Sequence, residues 1–105
     1  MPTPTLTREQ VLASIGECEA ELRELGVARL ALFGSVLRNQ ATSESDVDLL
    51  VEFAPGQKTF DRFLALCDLL EARLGCRVEL VTKEGLSPFI GPRILAEALD
   101  VLRAA

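Results

Sequence analysis

The stretch Ala28-Arg29-Leu30-Ala31-Leu32-Phe33-Gly34-Ser35, followed after ten intervening residues by Asp46-Val47-Asp48-Leu49-Leu50-Val51-Glu52-Phe53, decides the architecture of this 105-residue chain. Residues Ala28–Phe33 form a short apolar run, which predicts a buried strand because it is too short for a helix. Gly34-Ser35 breaks that run, and Val36 to Ser45 fit a short helical turn followed by a loop. The second segment alternates with a period of two. It places Val47, Leu49, Val51 and Phe53 on one face, and Asp46, Asp48 and Leu50 on the other. The link between the two strands is too short for a full crossover helix, so an antiparallel pair is expected.

Upstream, Thr7 and Gln10 have the spacing of a capping box. Val11, Ile15, Cys18, Leu22 and Leu25 then recur at helical spacing, and Gly26 suits the residue just past the helix end. Downstream, Ala54-Pro55-Gly56-Gln57 is turn chemistry, and Thr59 is placed to cap a second long helix. The expected apolar stripe of that helix is Phe60, Phe63, Leu64, Cys67, Leu70 and Leu74, closed by Gly75. Arg77–Thr82 reads as a third strand, which the intervening helix allows to run parallel to the second. A last helix is expected over Pro92–Leu102, with Ile94, Leu95, Ala98, Leu99 and Leu102 as its buried stripe. One domain spanning residues 1–105 is expected, with residues 1–6 as a frayed leader.

Composition narrows the chemistry. A net charge of −5 argues against a nucleic-acid grip, and the absence of Tyr and Trp removes the usual stacking platforms. The chain has no His, which excludes histidine bases, histidine metal ligands and a Ser-His-Asp triad. Three cysteines (Cys18, Cys67 and Cys76) without a CxxC pair indicate neither a zinc site nor a disulfide framework. Cys18 and Cys67 are expected in the core. The polar N-terminus lacks the pattern of a signal peptide, and no apolar run approaches the roughly 20 residues of a membrane span, so a cytoplasmic location is expected. No GxxxxGK[ST] run is present, which disfavours a P-loop enzyme.

Carboxylates, hydroxyls, arginines and backbone amides remain. Asp46 and Asp48 share a strand face about 7 Å apart at the backbone. Their mutual repulsion suits a divalent cation, although a solvated acidic strand edge has the same pattern. Gly34 allows close approach to the main chain, and Ser35 with nearby amides offers donors to a phosphate, although an ordinary strand break also uses such residues. The two features together, ten residues apart, are expected by chance at on the order of one chain in several hundred. Glu79 is a charged residue inside an otherwise apolar strand, consistent with a metal partner or with a surface edge. Arg38 lies about one helical turn past Ser35.

With those residues in view, the sequence resembles the nucleotidyltransferase superfamily, whose signature is hydrophobic-Gly-Ser followed by Asp-hydrophobic-Asp. Leu32-Phe33-Gly34-Ser35 and Ser45-Asp46-Val47-Asp48-Leu49-Leu50-Val51 carry that signature. Arg38, Ala41 and Val78-Glu79-Leu80-Val81-Thr82 look like its minimal branch, the MNT-type domains that serve as antitoxins of HEPN-domain toxins. The resemblance covers roughly residues 8–103 and implies an α+β nucleotidyltransferase fold: a small mixed sheet of three to four strands flanked by helices.

The resemblance further implies that Gly34, Ser35 and Arg38 hold the phosphates of ATP. It implies that Asp46, Asp48 and Glu79 are the catalytic carboxylates and bind Mg²⁺, two ions in the family pattern, with Glu79 as metal ligand or proton acceptor. Asn39 stands where the family often has Gly. The implied reaction transfers AMP from ATP to a hydroxyl of a partner protein. A HEPN-type toxin in a hetero-oligomer is the implied partner, since the chain leaves little room for an acceptor-binding domain and has no Tyr to modify in itself. The competing reading is a non-catalytic antitoxin that occludes its partner and keeps an idle nucleotide site, with Leu86-Ser87-Pro88-Phe89-Ile90 as a candidate docking patch.

Overall fold

The structure is a computed structural model. It describes residues 7–38, 40, 46–86, 88, 89 and 91–103. The expected leader, Asn39, Ala41 and Ser45 lie outside the described residues, as do Ser87 and Ile90 of the candidate docking patch.

Thr7 caps helix α1 (Arg8–Glu17) as expected. Its hydroxyl accepts from the Gln10 amide while the Gln10 side chain accepts from the Thr7 amide. The single long helix expected here is interrupted at Cys18, and α2 (Glu19–Glu24) continues it. Gly16 lies just before the break, where a helix-interior glycine lowers the cost of leaving the helix. Gly26 follows with a φ of +85°, and the chain enters β1 (Val27–Phe33).

After β1 come the short helix α3 (Gly34–Leu37), β2 (Val47–Phe53), the long helix α4 (Phe60–Leu74) and β3 (Val78–Thr82). A 3-10 turn at Lys83–Gly85, helix α5 (Gly91–Glu97) and β4 (Leu99–Arg103) complete the chain. The sheet order is β3-β2-β1-β4. The β1–β2 pair is antiparallel and the β2–β3 pair parallel, both as expected, and β4 runs antiparallel to β1. The result is the expected α+β architecture, with a mixed sheet of four strands. Among the described residues, no helix is long and apolar enough to cross a membrane.

Two further expectations need correction. The last helix does not reach Leu102. It ends at Glu97, and residues 99–103 form an edge strand. Ile94, Leu95, Ala98, Leu99 and Leu102 have helical spacing, and no glycine or proline marks the change. What decides it is tertiary: β1 has a free edge whose backbone groups need partners, and β4 supplies them. Leu102 is buried as expected, but from a strand, while Leu99 is 41% exposed. The stripe of α4 is also rotated. Leu66, Leu70 and Leu74 are buried and Phe63 packs beside them, whereas Phe60 and Leu64 are exposed and Cys67 is half-buried. Apolar residues lie around much of this helix, so spacing alone leaves more than one possible inner face.

The sheet has two unequal cores. On one face Val11, Ile15, Cys18, Leu22, Leu66 and Leu70 cover Leu30, Leu32, Val47, Leu49 and Val51. On the other, Ala31, Phe33 and Leu50 meet Val81, Leu86, Ile94, Leu95 and Ala98. The alternation of β2 is therefore realised as expected. Asp48 shares the parity of Leu50 and Glu79 that of Val81, so both acids belong to the sparsely covered face.

Candidate active site

The site forms where β1 ends. Phe33 pairs with Asp48 in the antiparallel ladder, so the turn that follows β1 lies against the start of β2. Gly34 makes that turn with a φ of +78°. A Cβ on Gly34 would collide with Asp48 Oδ2 and lie 2.9 Å from Asp48 Cγ. Glycine is thus required twice, for its backbone angle and for the space that the Asp48 carboxylate fills. Ser35, half-buried, is the next residue of α3, and its carbonyl accepts from the Gln40 amide at 2.8 Å.

Across the parallel pair, Asp48 stands opposite Glu79. The Asp48 carboxyl is pushed up to about 7 from an ordinary value of 3.8. Burial is the largest cause. A hydrogen bond shared with Glu79 and the charges of Glu79 and Asp46 add to it, and Arg38 opposes it. Asp46 sits just before β2, with Oδ1 4.0 Å from the Arg77 guanidinium.

The structure therefore brings Gly34, Asp48 and Glu79 together, with Asp46 and Arg38 close enough for their charges to be felt. Among the described residues, no three carboxylates or thiols are already gathered into one metal cage. The donor chemistry nevertheless fits a hard divalent cation. Two acids face each other at a sheet end, and a cation there would offset the burial and the neighbouring negative charge that push the Asp48 carboxyl up.

The cysteines take no part in this chemistry. Burial pushes the thiols of Cys18, Cys67 and Cys76 up, away from the reactive thiolate form.

On the other side of Gly34 an open cleft of about 540 Å³ is lined by Phe33, Gly34, Arg38, Arg93, Ile94 and Glu97. Arg38, at the end of α3, reaches Glu97 with Nη1 at 2.9 Å from Oε1 and 3.1 Å from Oε2. The Gly34 amide donates to the same Oε1 at 3.1 Å. Arg38 Nε also donates to the Gln40 side chain at 3.2 Å. Glu97 and Arg93 were not among the residues singled out in the sequence. Neither belongs to a motif, and only the packing of α5 on the second face brings them here. In the candidate docking patch, Leu86 leans on the small core while Phe89 is 91% exposed.

The family of proteins described as the nucleotidyltransferase domain matches residues 15–101. Protein adenylyltransferase MntA of Thermococcus cleftensis is 39% identical over 97 residues, covering 91% of this chain and 97% of that protein. A solved structure described as a minimal nucleotidyltransferase superposes with a TM-score of 0.78 at 35% identity, covering 90% of this chain and 95% of the other. A chain from a complex described as the tri-AMPylated Shewanella oneidensis HEPN toxin with MNT antitoxin shares the fold. Its TM-score is 0.63 at 18% identity, over 90% of this chain and 73% of that one.

Proposed function

The chain belongs to the nucleotidyltransferase domain family, and from that premise we propose that it transfers AMP from ATP to a hydroxyl of a partner protein. The observation that carries this reading is the opposition of Asp48 and Glu79 directly behind Gly34. It joins an acid pair suited to a cation with a backbone that admits close approach. The name of the Thermococcus relative supports a protein acceptor.

In this mechanism Asp46, Asp48 and Glu79 would hold the metal, and Gly34, Ser35 and Arg38 the phosphates. Bound Mg²⁺, two ions in the full reading, supplies positive charge that screens the triphosphate and favours the attacking oxygen. The Gly34 amide and the Arg38 guanidinium bind phosphate oxygens, and Ser35 can donate from its hydroxyl. The acceptor oxygen forms a bond to the α-phosphorus while the bond to the bridging oxygen breaks and pyrophosphate leaves. A carboxylate oxygen of Glu79 takes the hydroxyl proton. Positioning and electrostatics account for the acceleration.

The proposed partner is a HEPN-type toxin, which this chain would neutralise as its antitoxin in a hetero-oligomer. The described Shewanella complex supports that choice. ATP as donor places the proposed reaction in the cytoplasm. The test is incubation with Mg²⁺, α-labelled ATP and the protein encoded by the neighbouring gene, against an Asp46→Ala/Asp48→Ala double variant. Label on the partner with the wild type, absent with the variant, is the expected result. If no label is transferred while the partner is still bound and inhibited, the enzyme reading is overturned and occlusion takes its place.

A further inference from the structure

Two of the three donors that this reading gives to the nucleotide phosphates, the Gly34 amide and the Arg38 guanidinium, are already engaged, and by the same carboxylate. Glu97 Oε1 accepts from the Gly34 amide at 3.1 Å and from Arg38 Nη1 at 2.9 Å, and Oε2 lies 3.1 Å from that Nη1. A carboxylate with these partners presents an anionic oxygen to a backbone amide and a guanidinium, which is how a phosphate oxygen binds. Glu97 is the last residue of α5, where the helix dipole disfavours negative charge, so its own helix does not hold the carboxylate in place. The Glu97 side chain is 37% exposed and that of Arg38 49%, leaving both free to part toward solvent. The cleft around them also carries Arg93, for which no ion pair is found among the described residues, so a cation remains beside the subsite after Glu97 leaves.

We propose that Glu97 is an internal stand-in for a nucleotide phosphate, which an incoming phosphate must displace from Gly34 and Arg38. The inference rests on the nucleotidyltransferase reading and adds to it a residue that sets nucleotide affinity. Glu97 acts by competition, so it lowers affinity for the phosphate part of a ligand and leaves the nucleoside part untouched. The displaced carboxylate turns out into the cleft, and no bond is made or broken in the exchange beyond hydrogen bonds and ion pairing.

The experiment measures binding of ATP, tripolyphosphate and adenosine by calorimetry in one Mg²⁺ buffer. It compares the wild-type chain with Glu97→Gln, which keeps an acceptor oxygen without the charge, and with Glu97→Asp, which keeps the charge on a shorter arm. Melting curves check the fold of each. Tighter binding of ATP and tripolyphosphate to Glu97→Gln by about three- to tenfold, a smaller gain for Glu97→Asp and no change for adenosine are expected. In the wild type, tripolyphosphate is expected to shift the amide resonance of Gly34, which reports displacement even without a stable variant. Equal or weaker binding of both phosphate ligands to Glu97→Gln, with the wild type still binding ATP, overturns the stand-in role and leaves the enzyme reading intact. Failure of the wild type and both variants to bind ATP overturns the two together.

Discussion

Gly34 and Asp48 share one space: the volume a Cβ would take on the glycine is filled by the aspartate carboxylate. Gly34→Ala must therefore push Asp48 aside and also strain a φ of +78°. Gly56 provides the control, with a φ of +76° and nothing within 4 Å of its built Cβ. Gly56→Ala is expected to cost about 1–2 kcal/mol through backbone strain alone. Gly34→Ala is expected to cost more, about 2–4 kcal/mol, and to abolish label transfer. Urea unfolding of both variants, together with the labelling assay, checks this.

The proton on Asp48 gives the metal-free protein a pH dependence of definite sign. The folded-state value of about 7 lies above the ordinary 3.8, so between these limits the folded state holds a proton that the unfolded chain has lost. Stability is then fullest below pH 4, as far as this group is concerned. It falls as pH rises toward 7, by on the order of 2 kcal/mol after solvent screening. Melting curves in EDTA at pH 5 and pH 8 measure the fall. Asp48→Asn is expected to flatten it, and Mg²⁺ is expected to restore stability at pH 8 and, when it binds below pH 7, to release protons.

Arg29 ties three strands together on one side of the sheet. Its Nη1 lies 2.8 Å from Glu52 on β2 and its Nε 2.6 Å from Asp100 on β4. All three side chains are less than a third exposed. Arg29→Met is expected to lower stability by about 1–3 kcal/mol, because Glu52 and Asp100 each lose a charged hydrogen-bond donor. Arg29→Lys is expected to recover less than half of it, since one ammonium cannot serve both directions. Chemical denaturation of the two variants provides the comparison.

The C-terminal segment offers a direct contrast between strand and helix. Leu99 and Leu102 lie three apart and would share one face of a continuous helix. In β4, Leu102 is buried at 4% exposure and Leu99 is 41% exposed. Leu102→Ala is therefore expected to cost about 2–4 kcal/mol, and Leu99→Ala less than about 1 kcal/mol. Comparable costs at the two positions would contradict the strand.

Local chemistry predicts the parts of this fold that local chemistry determines. The Thr7–Gln10 box, the Gly75 helix end at a φ of +69°, and the alternation along β2 follow from caps, backbone freedom and the two-residue period of a strand. Residues 99–103 do not reveal themselves in this way, since their leucines fit a helix and only the free edge of β1 makes them a strand. The inner face of α4 is settled by what it packs on, not by its apolar spacing. At the site, Gly34, Arg38, Asp46 and Asp48 are visible through a motif of two strands and a turn, and Glu79 as a charge inside an apolar third strand. Glu97 reaches Gly34 across 63 positions of sequence, a separation at which no spacing argument operates.

Strand β2 sends Val47, Leu49 and Val51 into the main core and Asp48 to the opposite side, beside Glu79. Folding and chemistry are thereby read in a single alignment. A slip of one residue exposes the valines and leucine and forces an acid into hydrocarbon, so such a chain unfolds rather than persisting as an inert decoy. A slip of two restores the parity but separates Asp48 from Glu79 and Gly34, and puts Asp46 or the uncharged Leu50 in its place. Single-residue insertions in this strand should therefore be purged for instability, and two-residue insertions should survive as folded proteins without activity, a distinction that mutational scanning by abundance and by activity can read separately.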